Sequence, residues 1–539
     1  MVTLFNQHKQ VWLQWTGLWL LLVLIPLFNR TFIQIDETRY VTVAWEMWVR
    51  GDWLIPYLNG SIYHHKPPLL FWLINLGWAI FGVNEWWPRI IPGWFSLGSL
   101  WLTAILARQL WPQHPHIAWW APLILLSCFL WSLFTSATMF DMMLAFFTLL
   151  GMVALVWAWQ TDDVKAYGLL GLAIGLGVLT KGPVILLHLL PVALLAPWWQ
   201  LTKPSRRWYL GIISGVILGA LIALAWAIPA GIVGGSEFRQ AIFWGQTANR
   251  LVNSFAHNHP LWWYLPLLPV ALFPWLLWLP FWHGLLQLPK HWNESSVRFC
   301  LLWFVLVFTG FSLVSGKQLH YLLPILPAFA LLTTYILFKH PVLQQYQWWN
   351  PLLPALVIIL VGLLLISAPS LNSQIRLPIW ITQISPKAGI ILFIFGGILM
   401  TWKLPRIQHQ LSLLSTVAVL FSLIFPLTII RAAGQAYDLH QISKRINTLL
   451  NNGQNVAHFG DYHGQYQFFG RLRQSLLVVD GYGLCSWLTK YPDGKLIVYF
   501  SREYMDLSEH TDYVQPYRSK HVGIIDAKFV HSACLTVLP

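Results

Sequence analysis

Along most of this chain apolar residues do not alternate with polar ones; they run together in blocks long enough to cross a bilayer. A spanning helix needs about 20 such residues. About thirteen blocks qualify, near residues 12–28, 88–108, 117–135, 138–158, 166–181, 183–199, 208–230, 261–285, 298–314, 319–338, 351–368, 387–402 and 410–430. The fifth and sixth nearly fuse at Lys181-Gly182-Pro183, which would lower the count by one. Each block is predicted to be helical, because lipid offers no partner to an open backbone. The run from Val11 to Phe28 leads into Asn29-Arg30-Thr31-Phe32 without a small-residue cleavage site, so it reads as an uncleaved first span.

The polar stretches between spans are unequal. An odd number of spans puts the two chain ends on opposite sides. The cluster Lys203, Arg206 and Arg207 is expected on the cytoplasmic side. Two long loops then fall outside, at about 29–87 and 231–260. In the first, the segment 38–50 is amphipathic: Val41, Ala44, Trp45 and Trp48 share one face, and Arg39, Thr42, Glu46 and Arg50 the other. That pattern predicts a helix lying in the interface plane. The second, with FRQAIFWGQTANRL, reads similarly.

After Arg431 the blocks stop. AYDLHQISKRINTLL predicts an amphipathic helix ended by Asn452-Gly453, and the runs NVAHF, SLLVVD, KLIVYF and HVGII predict short strands. The fold class is therefore an all-α polytopic membrane bundle, residues 1–431, followed by a small α/β domain, 432–539, placed outside by the odd span count.

Composition agrees with this division. The chain has 539 residues, 57% hydrophobic and 10% charged, against about 25% charged in soluble domains. Its 35 tryptophans suit membrane–water boundaries. The net charge of +14 does not point to nucleic acid, because the basic residues are scattered through inter-helix loops and form no stripe. Cys128 and Cys300 sit in apolar helices without metal-ligand spacing, and Cys485 and Cys534 share the C-terminal region, where they could pair if it is extracytoplasmic.

The candidate chemistry lies on the outer side. Asp36 and Glu37 are adjacent at the start of the amphipathic helix, where a carboxylate can serve as an N-cap, a catalytic group, or both. Lys66 precedes Pro67-Pro68, which fixes where its ammonium points: to the interface as a snorkelling side chain, or to a phosphate. Asp141 is the sole acid in a long apolar stretch, either a helix cap or a functional group by virtue of its depth. Arg250, and Lys317, His320 and Tyr321 in SGKQLHYLLP, fall on the same side. Two acids, several cations and a tyrosine on one membrane face are what is needed to bind a phosphorylated lipid and activate a hydroxyl. On pattern alone a transporter or lipid flippase stays open, although no internal repeat is visible and the charges collect at one face rather than mid-membrane.

The succession DETRY, GDWLIPYLNG, KPPLLFWL and FGVNEWWPR resembles the first outer loop of the bacterial aminoarabinose transferase (ArnT) family, membrane glycosyltransferases of the GT-C fold related to protein O-mannosyltransferases. Asp141 in its Met-Phe-Asp-Met setting, LTKGPV at 179–184, the FWxxxxxR pattern ending at Arg250, HPLWWYLPLLPVALFPW and SGKQLHYLLPILPA extend the resemblance to about residue 330. It implies an inverting hexosyl- or pentosyltransferase in the cell (inner or plasma) membrane, with an outer-face site. The implied donor is a polyprenyl-phosphate sugar of the undecaprenyl type, and the acceptor a lipid, a glycan or a protein. It further implies that Asp36 and Asp141 are the catalytic acids and that Lys66, Arg250, Lys317 and Tyr321 hold the donor phosphate. Glu37, Arg39, Tyr63, His65 and His320 are further candidates at the substrate site. Relatives of the aminoarabinose type usually read Glu-Lys-Pro-Pro where this chain reads His65-Lys66-Pro67-Pro68, so an imidazole replaces a carboxylate that could bind an amino sugar or a metal. No cofactor is expected; a divalent metal is compatible with the family, but no ligand spacing calls for one.

Overall fold

The computed structural model describes residues 2–245, 258–340, 347–371, 379–501 and 511–534. Among these residues, nine helices are long and apolar enough to span a membrane: Lys9–Asn29, Trp86–Leu110, Asp141–Thr161, Val164–Lys181, Arg206–Val233, Ser295–Leu313, Leu319–Lys339, Leu352–Ser370 and Ile407–Ile430. The first part of the chain supplies α1 (Val2–Asn29), α2 (Asp36–Arg50), α3 (Leu69–Phe81), α4 (Trp86–Leu110), α5 (Ile117–Ser127), α6 (Phe129–Phe134), α7 (Asp141–Thr161), α8 (Val164–Lys181) and α9 (Val184–Leu194).

The other four predicted spans are helical but interrupted or short. The third breaks at Cys128, which is extended between α5 and α6, and the N–H of Phe129 donates to the carbonyl of Phe273 at 3.0 Å. The sixth is α9 followed by Ala196–Trp199. The eighth, over 261–285, is a series of short turns because Pro266, Pro269, Pro274 and Pro280 each remove a backbone donor. Its Tyr264, Trp275 and Trp278 are buried, while Leu261, Trp262 and Leu265 are exposed, so the segment is covered by protein on one side. The twelfth is the 16-residue helix Pro386–Thr401.

The ends of α7 define two faces of the bundle. Asp141 is its first residue. Just past its last, Asp162 accepts a hydrogen bond from Arg207 at 3.1 Å. A 21-residue helix is about 30 Å long. The basic cluster at 203–207 and Asp141 therefore lie at opposite ends of the bundle, as the span pattern requires.

The C-terminal region forms a five-stranded sheet of order β4-β3-β5-β7-β6, after a two-stranded hairpin β1 (Tyr57–Leu58) and β2 (Ser61–Ile62) in the first outer loop. The sheet strands are β3 (Val456–Phe459), β4 (Leu477–Val479), β5 (Lys495–Phe500), β6 (Thr511–Tyr517) and β7 (Lys520–Asp526). β3 runs parallel to β4 and β5, and β7 antiparallel to β5 and β6. Alternation along the strands sends Val456, Ile497 and Ile524 to one face with Ile442 and Ile446 of the helix His440–Asn451, and Ala457 and Leu496 to the other with Trp487 and Leu488 of the helix Gly481–Lys490. The sequence runs do not predict β6, an edge strand whose Pro516 and polar positions hide its period.

This unit sits on α2. The predicted interfacial helix is amphipathic, but protein covers it on both sides: Thr38 and every residue from Tyr40 to Met47 is buried. Thr42 donates to the carbonyl of Gly464 at 2.7 Å and the Trp45 indole to that of Leu472 at 2.8 Å. Gly464 has φ +79°, and a Cβ there would lie 2.5 Å from Leu58 and 2.9 Å from Thr42, so only glycine permits this approach. The β1–β2 turn is the second anchor. Asn59 and Gly60 both have positive φ (52° and 81°), as a type I′ turn demands. The Glu46 carboxylate accepts from both their amides. The Asn59 side chain donates to Leu476 O at 2.9 Å and accepts from Leu476 N at 2.8 Å and Gln467 at 2.6 Å.

Candidate active site

Asp36 and Asp141 both open a helix, but neither caps one. The residues before them, Ile35 and Phe140, have helical dihedrals and no side-chain cap bond exists at either start. Each acid is thus in the first turn, where the helix dipole favours a carboxylate, and its oxygens meet side chains instead of backbone amides.

Asp36 is half-exposed and accepts from Arg39, one turn on, and from the Tyr40 hydroxyl at 3.4 Å. Burial and the nearby Asp36 carboxylate push the Tyr40 phenol well above its usual range, so it stays a proton-bearing donor. The Tyr40 ring packs edge-on against Phe140 at 4.9 Å, next in the chain to Asp141. Asp141 is buried, ion-paired with Lys181 at the C-terminal end of α8, and 3.8 Å from His320 Nε2. The Lys181 ammonium also lies over the Tyr321 ring, 4.4 Å from its centroid. From the first loop, Lys66 reaches over Phe140 at 5.9 Å and within Coulombic range of Asp141. Its backbone is set by Pro67 and by Pro68, the residue before α3. Asp36, Arg39, Lys66, Asp141, His320 and Tyr321 therefore converge around one aromatic pair.

The remaining candidates are placed differently. Glu37 is buried and saturated: Arg30 donates twice (2.6 and 3.0 Å), and the amides of Ile33 and Thr138 donate at 2.6 Å each. Burial opposes its charge, but Arg30 and the two amides hold the carboxyl below the usual range. It ties the start of α2 to the turn before α7 and keeps no acceptor capacity for substrate. Lys317 is buried and donates to the carbonyls of His259 (2.8 Å) and Val314 (2.6 Å). It clamps the chain where the second outer loop ends, and does not point at Asp141. Tyr63 is buried beside Arg39, and the exposed His65 ring sits 5.3 Å from it. Arg250 falls outside the described residues, and so does the side chain of Cys534.

Lys181 was not among the sequence candidates, although LTKGPV was visible as a motif. Its signal is a lysine ending an apolar span at a Gly-Pro break, where a helix C-terminus favours a cation. The C-terminal unit also contributes. His463, next to the Gly464 contact, lies within Coulombic range of Arg39 and Asp36. On another side of Asp36 opens a cavity of about 230 Å³ between α1, α6 and the helix Ile407–Phe425, lined by Leu22, Pro26, Phe134, Leu423 and Phe425 with Arg30 and Asp36 at its polar edge.

The comparisons with known proteins fit this geometry. The family model described as dolichyl-phosphate-mannose-protein mannosyltransferase matches residues 10–238. An undecaprenyl phosphate-alpha-4-amino-4-deoxy-L-arabinose arabinosyl transferase of Pseudomonas fluorescens is 34% identical over 317 residues, 57% of this chain and 54% of that protein. The chain thus spans little more than half the length of such relatives. The enzyme of that name from Pseudomonas aeruginosa (strain UCBPP-PA14) is 33% identical over 402 residues, 71% of this chain and 70% of its own. Among solved structures, ArnT from Cupriavidus metallidurans bound to undecaprenyl phosphate superposes with a TM-score of 0.76 at 18% identity, covering 95% of this chain and 97% of that one. The oligosaccharyltransferase AglB from Archaeoglobus fulgidus gives 0.52 at 12% identity, covering 87% and 64%. These two likenesses establish the fold, and the Pseudomonas aeruginosa relative establishes the kinship: this chain is a multi-pass membrane protein belonging to the ArnT-like family of GT-C glycosyltransferases.

Proposed function

We propose that this protein moves a sugar from a polyprenyl phosphate of the undecaprenyl type to an acceptor hydroxyl or phosphate at the outer face of the cell membrane. The observation that carries this reading is the meeting of Asp36 and Asp141 across the Tyr40–Phe140 contact, with Lys66, Lys181 and Tyr321 beside them. Outer-face placement is supported by the basic cluster at the far end of α7.

In this reading Asp36 is the general base. It is half-exposed and bonded by the side chains of Arg39 and Tyr40 and by no backbone amide, so an acceptor can reach its open side. The acceptor oxygen attacks the anomeric carbon, its proton passes to Asp36, and the bond from that carbon to the phosphate oxygen breaks. Direct displacement inverts the anomeric centre. The charge that develops on the departing polyprenyl phosphate is met by Lys66 and Lys181, donors fixed before the reaction begins. Asp141, held by Lys181 and His320, orients the sugar and keeps the cation in place. The apolar cavity beside Asp36 favours an acceptor with a lipid portion.

The test is transfer by the purified protein in nanodiscs, supplied with undecaprenyl-phosphate sugars and with membrane lipid extracts as acceptors. In parallel, lipids from cells with and without the protein are compared by mass spectrometry. The expected result is a polyprenyl-phosphate sugar that accumulates without the protein and is consumed with it. Absence of both overturns the reading.

A further inference from the structure

The C-terminal unit places one side chain near Asp36 that the mechanism above does not use. His463 lies in the turn between β3 and the short helix Gln467–Gly470, and it is partly exposed. The next residue, Gly464, is pinned to α2: its carbonyl accepts from the Thr42 hydroxyl at 2.7 Å, and a Cβ on it would meet Thr42 at 2.9 Å. Asp36, Arg39 and Thr42 follow at intervals of three along α2, so each is the surface neighbour of the next, about 4.5 Å further along the axis. The contact at Thr42 therefore brings His463 beside Arg39 and into Coulombic range of both Arg39 and Asp36.

The turn that carries His463 is fixed from below. The His463 N–H donates to the Gln465 side chain at 3.0 Å. Gln465 is buried and donates in turn to the Tyr499 hydroxyl at 2.5 Å, which meets the Tyr466 hydroxyl at 2.8 Å. The backbone is thus held on both sides of His463, while its ring has no hydrogen-bond partner among the described residues. Burial and the Arg39 charge hold the imidazole below its usual range, against Asp461 and Asp36. The ring is therefore neutral near pH 7 and offers one donor and one acceptor. The groups beside it are open to solvent: the Arg39 side chain is 25% exposed and that of Asp36 48%. A molecule approaching Asp36 from outside can reach all three.

We propose that His463 is an acceptor-binding residue, so that the C-terminal unit supplies one wall of the site. Its ring hydrogen-bonds an acceptor oxygen next to the one that attacks, and so holds the attacking oxygen against Asp36. The site is then incomplete in the transmembrane bundle alone. The close fit of Gly464 on α2 gains a purpose, because it sets the position of the preceding side chain relative to Asp36. This inference rests on the reading of Asp36 as the base that faces the acceptor.

The experiment follows sugar transfer by the full-length protein in nanodiscs, with saturating undecaprenyl-phosphate sugars and a dilution series of total membrane lipid extract as acceptor. His463→Ala and His463→Gln are compared with the unaltered chain. Binding of undecaprenyl phosphate and protease protection of the 440–534 region are measured beside transfer. His463→Ala is expected to raise the half-saturating amount of extract about 5-fold, the worth of one hydrogen bond. Its maximal rate should fall less than about twofold, and donor binding and protease protection should not change. His463→Gln, which keeps a donor and an acceptor, should recover part of the loss. An unchanged half-saturating amount in His463→Ala overturns the proposal. So does a fall in donor binding or in protease protection that matches the loss of transfer, since His463 would then act on the donor or on the seam. Absence of transfer by the unaltered chain overturns the reading of the site itself, and this inference with it.

Discussion

Asp141 and Lys181 form a buried ion pair between the N-terminus of α7 and the C-terminus of α8. Each charge sits at the helix end whose dipole favours it, and each compensates the other, with His320 beside Asp141 as well. Removing one partner strands a buried charge, at a cost of about 3–5 kcal/mol. Lys181→Met is expected to lower the thermal midpoint strongly. Adding Asp141→Asn to Lys181→Met should restore most of the stability but none of the sugar transfer. Thermal unfolding in detergent beside a transfer assay checks both; a double variant that is no more stable than the single shows that the pair is not self-contained.

Asp36 should be separable from folding. Because it makes no cap bond, neither Asp36→Asn nor Asp36→Ala should change stability by more than about 0.5 kcal/mol. Both should lower turnover by about 10²–10⁴, the usual worth of a general base, with donor binding nearly intact. Single-turnover transfer measured alongside donor binding decides the matter. Near-normal transfer by Asp36→Asn would move the base to Asp141 or out of the first loop.

Lys66→Ala should weaken donor binding about 10- to 100-fold without unfolding, the loss expected for one charge-assisted phosphate contact. A titration with undecaprenyl phosphate measures it, and unchanged affinity would remove Lys66 from the phosphate site.

The seam between the bundle and the C-terminal unit should depend on pH. His440 bonds Asp438 through Nδ1 (2.5 Å) and Glu85 through Nε2 (2.6 Å). Burial disfavours its charge, but the two carboxylates outweigh burial and raise it from 6.5 to about 9. A raised value means the imidazolium stabilises the folded state fully below about pH 6.5 and loses that contribution as pH rises through about 9. Protease protection of the 440–534 region should therefore fall between pH 7 and 10, and His440→Gln should flatten that dependence. An unchanged profile in the variant would assign the seam to Asn59 and the Thr42–Gly464 contact instead.

The orientation has its own test. Reporter fusions at Gln200 and at the C-terminus should give opposite signals, because the basic cluster and Asp141 lie at opposite ends of α7. Equal signals would break the outer-face placement of the site.

The amino-acid pattern alone determined the helical membrane class and the approximate positions of the nine helices long and apolar enough to span among the described residues, because lipid imposes a length and a composition that local sequence must meet. It also pointed to Asp36, Lys66 and Asp141, since a charge beside an apolar block is conspicuous. Tertiary structure decided what each charge does. Glu37 and Asp36 are neighbours in sequence, yet one is saturated by Arg30 and two amides while the other keeps an open side. Lys317 and Lys181 both end apolar runs, yet one bonds backbone carbonyls and the other bonds Asp141. Those outcomes depend on groups brought in from distant parts of the chain: Thr138 to Glu37, His259 to Lys317 and Asp141 to Lys181. Hydrophobic periodicity records which face of an element is buried, and carries no record of the partner buried against it.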